Sequence, residues 1–400
     1  MNQNTEKNTK KSANNVRTRI FIEFFESEKS GGLVLIFSTA IALMIANSAL
    51  GNSFIHFWHT KVIGMSMEHW VNDGLMTIFF LLVGLELERE IYIGELSDSK
   101  KALLPIIAAA GGMLIPAGIH LFFNYGTPTQ AGAGIPMATD IAFSLGILGL
   151  FAKKVPFSLK IFLTALAIAD DLGAIAVIAI FYTENFSFTY LLIALGIYIV
   201  LVAMGRLKVY VLFPYLLGGI LMWYFMLNSG VHATITGVLL AFAIPFGGEK
   251  KLSHHLQHFL HKPVAFIILP IFALANTCIV VDNNWQEGLM QSNSMGILLG
   301  LLVGKPVGIL LFSFIAIKAR VSSLPEHTTW KHIIGAGLLA GIGFTMSIFV
   351  AILAFDDAQY INFSQIVVLL ASLLAGFIGC LWFALFIPSH NIYLREEITE

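Results

Sequence analysis

Residues 161–180 read Ile-Phe-Leu-Thr-Ala-Leu-Ala-Ile-Ala-Asp-Asp-Leu-Gly-Ala-Ile-Ala-Val-Ile-Ala-Ile, which sets Asp170 beside Asp171 in the middle of an otherwise apolar run. About 20 apolar residues is the length at which a helix crosses a bilayer. A carboxylate at the centre of such a helix costs about 3 kcal/mol even on lenient insertion scales. Two adjacent ones need a purpose. The rest of the chain has the same character: 57% of its 400 residues are hydrophobic and 12% charged, with a mean hydropathy of +0.81. No soluble core is this large. A net charge of -1 without a basic face offers nothing to nucleic acid. Cys278 and Cys380 both fall inside apolar runs and read as small hydrophobes, leaving no disulfide framework. No cofactor is expected.

Working outward from that run, spans of sufficient length lie at 32–50, 68–91, 103–124, 131–151, 159–182, 188–204, 210–228, 230–246, 263–281, 295–317, 333–355 and 365–387. The expected fold is therefore an all-α polytopic membrane protein with twelve transmembrane helices. It forms a single transmembrane domain over 21–388, between a polar N-terminal tail, 1–20, and a C-terminal tail, 389–400. The N-terminal tail is Lys/Asn-rich and has no hydrophobic stretch of the kind a signal peptide requires. Of the 23 Lys and Arg, only Lys61 falls in a segment on one side and Lys305 falls inside a span, so the other side holds the remaining 21. The positive-inside rule then puts both termini in the cytoplasm.

Parity makes spans 3–5 and spans 10–12 run in opposite senses. The middle span of each triplet is interrupted by residues a continuous helix tolerates poorly: Gly132, Gly134 and Pro136 in span 4, Gly341 and Gly343 in span 11. Two discontinuous helices in inverted-topology repeats point to the binding site of a transporter. At about 1.5 Å per residue, Asp140 lies roughly 14 Å into its span, Asp170 and Asp171 about 17 Å and Lys305 about 15 Å, all near the midplane of a core about 30 Å thick. Carboxylate and hydroxyl oxygens suit a hard monovalent cation, so Asp170 and Asp171, with Thr139 as a neutral ligand, form the expected Na⁺ or Li⁺ site. The adjacent acids titrate as a coupled unit, and protons compete with the metal ion for the same oxygens. Asp140 can compensate the N-terminal ends of the broken helices and Lys305 the C-terminal ends. Lys305 can equally pair with a site aspartate and release its proton when the cation arrives.

Six strings carry a resemblance that covers essentially the whole chain. They are Ala169-Asp170-Asp171-Leu172-Gly173, Ala138-Thr139-Asp140-Ile141-Ala142-Phe143-Ser144, Gly84-Leu85-Glu86 with Arg89-Glu90, Ser229-Gly230-Val231-His232-Ala233-Thr234, Val303-Gly304-Lys305-Pro306, and Gly341-Ile342-Gly343-Phe344-Thr345-Met346-Ser347. With them the chain resembles the bacterial sodium/proton antiporters of the NhaA family, a known case of inverted repeats with interrupted helices. The resemblance implies an inner-membrane exchanger, not an enzyme, that expels Na⁺ or Li⁺ for two protons per cation and is activated at alkaline pH. It implies Asp171 as the main cation ligand, Asp170 as its gating or proton-binding partner, and Thr139, Asp140 and Lys305 as the supporting assembly. It also implies a homodimer through an extended hairpin in the first external loop, about 52–66, where Phe54, Ile55, Phe57, Trp58, Val62 and Ile63 suit a strand pair. Family members often carry a glutamate between spans 8 and 9 where this chain has Gln257, so the resemblance assigns no pH sensing to that position.

Blander readings compete at several residues. Glu86, Arg89 and Glu90, at the cytoplasmic end of span 2, read as well as a solvated ion pair as they do as pH sensors. His254, His258 and His261 follow helical spacing beside His255, but no cysteine or carboxylate completes a metal set, and a solvated, unstructured segment is the preferred reading. His232 reads as an interfacial histidine before a proton relay. Two other functions remain open: an intramembrane aspartic protease pairing Asp140 with Asp171, which leaves Asp170 and Lys305 without a task, and a passive cation channel, for which no filter-like ring of carbonyls is present.

Overall fold

A computed structural model of the protein describes residues 30–94, 99–152, 154–182, 186–247, 252–280 and 285–388. The expected tails, 1–20 and 389–400, lie outside the described residues, as do Lys153, Lys250 and Lys251 of the charge tally. In hydrocarbon no water competes for backbone N–H and C=O groups, so each apolar run satisfies them internally by coiling. Among the described residues, seven helices are long and apolar enough to cross a membrane, or nine if each of two sharply bent pairs counts as one span. The described sheet has two strands. This is the build of an all-α membrane protein.

Helix α1, Ser30–Ala46, meets α2, Gly51–His59, at 113°. A hairpin follows, β1 Lys61–Val62 against β2 Met65–Ser66, antiparallel with Lys61 opposite Ser66. Helix α3, Met67–Tyr92, contains a π turn at Trp70–Leu75. Helix α4 is Ser99–Asn124. A 3-10 segment, Pro128–Met137, then leads through the extended residues 138–140 into α5, Ile141–Leu150. Next come α6 Phe157–Phe181, α7 Phe188–Arg206, α8 Leu212–Leu227 and α9 Ile235–Ala243. Helix α10, Leu252–Asn276, and the short α11, Trp285–Leu289, precede α12, Ser292–Lys318. The chain closes with α13 Trp330–Ala340, α14 Phe344–Ala354 and α15 Ala358–Phe386.

The first loop corrects one expectation. Phe54, Ile55, Phe57 and Trp58 lie on helix α2 and not on a strand, because Phe54 and Trp58, four residues apart, share a face and meet edge to face with centroids 6.1 Å apart. Trp58 is buried against the core. Only Val62 is left to a strand, and Ile63 (φ 50°) and Gly64 (φ 85°) make the tight turn whose two positive φ values suit a two-residue hairpin. The segment 252–262 is a second correction. It is helical, the first half of α10, so His254, His258 and His261 ride on an ordered helix; its apolar residues Leu256 and Leu260 are buried four apart.

Two packing contacts hold the site's helices. Helix α4 lies along α12, and their backbones touch where glycine faces glycine: a Cβ at Gly308 would stand 2.1 Å from the Gly111 carbonyl oxygen. Helix α3 packs on α9. Outward, α7 and α8 present Ile199, Val200, Phe213 and Ile220, all more than half exposed, an apolar surface fit for lipid.

Candidate functional site

The two interrupted stretches lie against each other. The backbone N–H of Asp140 donates to the Ile342 carbonyl at 2.7 Å. Ser144, one turn into α5, donates to the Leu339 carbonyl near the end of α13 at 2.9 Å, and Ser347, one turn into α14, donates to the Ile135 carbonyl at 2.7 Å. Each interruption thus lends a hydroxyl to a carbonyl of the other, and the Leu339 carbonyl also accepts from the Ile342 N–H at 3.0 Å.

Asp140 serves two helices at once. Its Oδ1 accepts from the Phe143 N–H of its own helix at 2.9 Å, and its Oδ2 accepts from the Thr345 N–H at 3.2 Å and the Thr345 hydroxyl at 2.5 Å. Both N-termini therefore end on one carboxylate, the placement that complements their partial positive charge. With both oxygens occupied, Asp140 is not the second half of a protease dyad with Asp171.

On α6, Asp170 is fully buried and its Oδ2 stands 2.7 Å from the Nζ of Lys305, which is equally buried on α12. The same ammonium donates to the Met137 carbonyl at the end of the 3-10 segment. Lys305 therefore makes both contacts that the sequence left as alternatives. The Thr139 hydroxyl lies 2.8 Å from Asp170 Oδ2 and 3.0 Å from the Ala340 carbonyl, and its one proton serves one of them at a time.

Asp171 is different. It is 0% exposed, and among the described residues neither carboxylate oxygen has a hydrogen-bond partner, nor has Asp170 Oδ1 beside it. Asp140, Asp170, Lys305 and Glu86 all act on it electrostatically. Buried polar atoms are ordinarily hydrogen-bonded, so three such oxygens without a donor set Asp170 and Asp171 apart from Asp140.

Thr139, Asp140, Asp170, Asp171 and Lys305 thus come together. Glu86, Arg89 and Glu90 form a separate group: Arg89 pairs with Glu90 at 2.9 Å, and Glu86 faces His261 Nδ1 at 3.9 Å and bonds with Gln257. His258 is exposed on the same helix as His261. His232 sits in neither group, half-buried in the turns that precede α9. Sequence reasoning did not place Thr345 or the carbonyls of Met137 and Ile342 in the assembly. Thr345 had a signal, a hydroxyl two residues after Gly343; the carbonyls, present in every residue, had none.

Comparison with known proteins places the chain among named relatives. Residues 22–383 match the family described as Na+/H+ antiporter 1. The "Na(+)/H(+) antiporter NhaA 1" of Flavobacterium johnsoniae is 60% identical over 384 residues, which is 96% of this chain and 98% of that protein. The "Na(+)/H(+) antiporter NhaA" of Flavobacterium psychrophilum is 62% identical over 90% of this chain and 95% of its own, and that of Dechloromonas aromatica is 59% identical over 94% and 98%.

Proposed function

Since the chain belongs to the Na+/H+ antiporter 1 family, whose members are transporters and not enzymes, we propose that it exports Na⁺ or Li⁺ across the bacterial inner membrane in exchange for protons. The observation that carries this reading is Asp171, fully buried with both oxygens unpartnered, one residue from the Asp170–Lys305 pair. An ionised carboxylate in that position is stable only when something neutralises it. A proton does so, and a metal ion does so, but the two cannot share the same lone pairs. Mutual exclusion at a site open to one side at a time is the whole requirement of an antiporter.

Asp171 supplies the principal oxygens and Asp170 Oδ1 the next, with Thr139 as neutral ligand. Lys305 holds the other oxygen of Asp170 and the Met137 carbonyl, and Asp140 holds both helix N-termini, so the broken spans keep their positions as the ion enters and leaves. Exchange of two protons for one cation moves one net charge, worth about 2.3 kcal/mol per 100 mV, which lets the membrane potential drive export when the outside is alkaline.

The same reading takes twelve spans with both termini cytoplasmic, and inverted repeats over spans 3–5 and 10–12. The reciprocal bonds Ser144 to Leu339 and Ser347 to Ile135, which relate the two interruptions in opposite directions, support it. Activation at alkaline pH, sensed by the group of Glu86, Arg89, Glu90 and His261, of which Glu86 acts electrostatically on Asp171, and a homodimer formed through the first external loop complete the proposal. Everted vesicles test its centre: Asp171→Asn, in amounts equal to wild type, is expected to show no sodium-dependent proton release. Normal exchange by that variant removes Asp171 from its role.

A further inference from the structure

Toward the C-terminal end of α4, away from the aspartates, a second polar group is buried. His120 is 0% exposed. Its Nε2 lies 3.0 Å from Asn293 Oδ1 on α12, and Asn293 Nδ2 donates to the Ser364 hydroxyl oxygen on α15 at 2.9 Å. That second bond uses the amide nitrogen, so the amide oxygen must accept and His120 Nε2 must carry the hydrogen. One turn on, Asn124 donates to the carbonyls of His120 and Ser292, at 2.9 and 3.1 Å, and its oxygen accepts from the Thr129 hydroxyl at 2.7 Å. Nothing in the transport chemistry above uses these groups. Among the described residues no charged side chain acts on His120, and its Nδ1 has no partner.

What these bonds grip is the beginning of α12. Lys305 stands twelve residues beyond Asn293 on that helix, about 18 Å along the axis. Between the two lies a π turn, Gly300–Gly304. A π turn is a place where a helix changes its rotational setting, so the direction of Lys305 depends on how the part before the turn is held. Helix α4 holds both levels: His120 and Asn124 before the turn, and Gly112 beside the Lys305 stem, where a Cβ would lie 3.7 Å from Cε.

We propose that His120 is a positioning residue, which through Asn293 and Ser364 holds α12 before its π turn in the rotation that brings the Lys305 ammonium to Asp170. The proposal rests on the reading that this pair belongs to the transport site. It makes His120 necessary for apparent sodium affinity although it touches neither cation nor carboxylate.

Sodium-dependent proton release in everted vesicles, measured across pH, tests it with two substitutions. His120→Phe keeps the bulk and removes the donor; it is expected to raise the KM for sodium at least fivefold and to displace the pH profile. His120→Gln, whose amide nitrogen reaches the same acceptor, is expected to restore both to within twofold of wild type. Wild-type KM and profile in His120→Phe, or a Gln variant as impaired as the Phe variant, overturns the proposal. Should His120→Phe fail to accumulate, Ser364→Ala, which cuts the far end of the chain, is expected to shift KM in the same direction, and wild-type values there overturn it equally. Normal exchange by Asp171→Asn in the same vesicles strikes the transport reading instead.

Discussion

Lys305 and Asp170 show what one residue pair can cost a membrane protein. Both are fully buried and 2.7 Å apart, so removing one strands the other as an unpaired charge, typically a loss of about 3–5 kcal/mol, whereas removing both together can be nearly neutral. Lys305→Met is therefore expected to lower the thermal unfolding temperature of the purified protein clearly, and the double variant Lys305→Met with Asp170→Asn to recover much of the loss. A double variant no more stable than Lys305→Met would show that the stranded Asp170 charge is not the source of the loss. Asp170, Asp171, Asp140, Thr139 and Lys305 were all legible in the sequence, because a polar group at mid-membrane depth is expensive wherever it occurs. Their division of labour was not. Asp140 and Asp171 are both aspartates near the midplane, and only the hydrogen bonds from Phe143 and Thr345 make the first a helix cap while the second has no donor at all.

Among the elements, α4 and α12 set the geometry on which that pair depends. Their contact at Gly111 and Gly308 leaves no room for a side chain, since a Cβ at Gly308 meets backbone at 2.1 Å. Backbone cannot swing aside as a flexible side chain does, so Gly308→Val is expected to force the helices apart, with a loss of about 1–3 kcal/mol or more from overpacking and a matching loss of transport. Gly118→Val on the same α4 is the control: a Cβ there meets nothing within 4 Å, and stability near wild type is expected. Equal damage from both would mean that helix propensity, and not the crossing, sets the cost. Gly132, Gly134 and Pro136, which the sequence offered as the reason for one interruption, fall in the 3-10 segment, and Gly341 and Gly343, offered for the other, fall at the 46° bend between α13 and α14. Sequence reasoning mistook helix α2 for strand, since Phe, Ile and Trp favour either element and periodicity over so few residues does not separate them.

At the scale of the whole molecule, the proposed exchange of two protons per cation would move one net charge per cycle and so link the site to the membrane potential. In proteoliposomes, uptake of sodium against protons is expected to respond to a potassium-diffusion potential in the direction that two protons per cation require. Indifference to that potential would mean one proton per cation and would overturn the electrogenic part of the proposal. The same bookkeeping predicts that adding sodium to the purified protein releases protons, read as a binding heat that changes with the ionisation enthalpy of the buffer; a buffer-independent heat would contradict mutual exclusion at Asp171.

Composition and hydropathy alone determined that the chain lives in lipid as a bundle of helices, because hydrocarbon offers the backbone no other partner. The charge of a few mid-span residues alone marked where a buried polar assembly forms, because such residues are too costly to lie in lipid unpartnered. Tertiary structure decided which oxygens are occupied and which are open: Asp140 closed by two helix ends, Asp170 half closed by Lys305 and Thr139, Asp171 left bare. The physical reason is that a hydrogen bond depends on distance and direction between groups far apart in the chain, and no spacing along one strand of residues encodes where a helix on the opposite side will end.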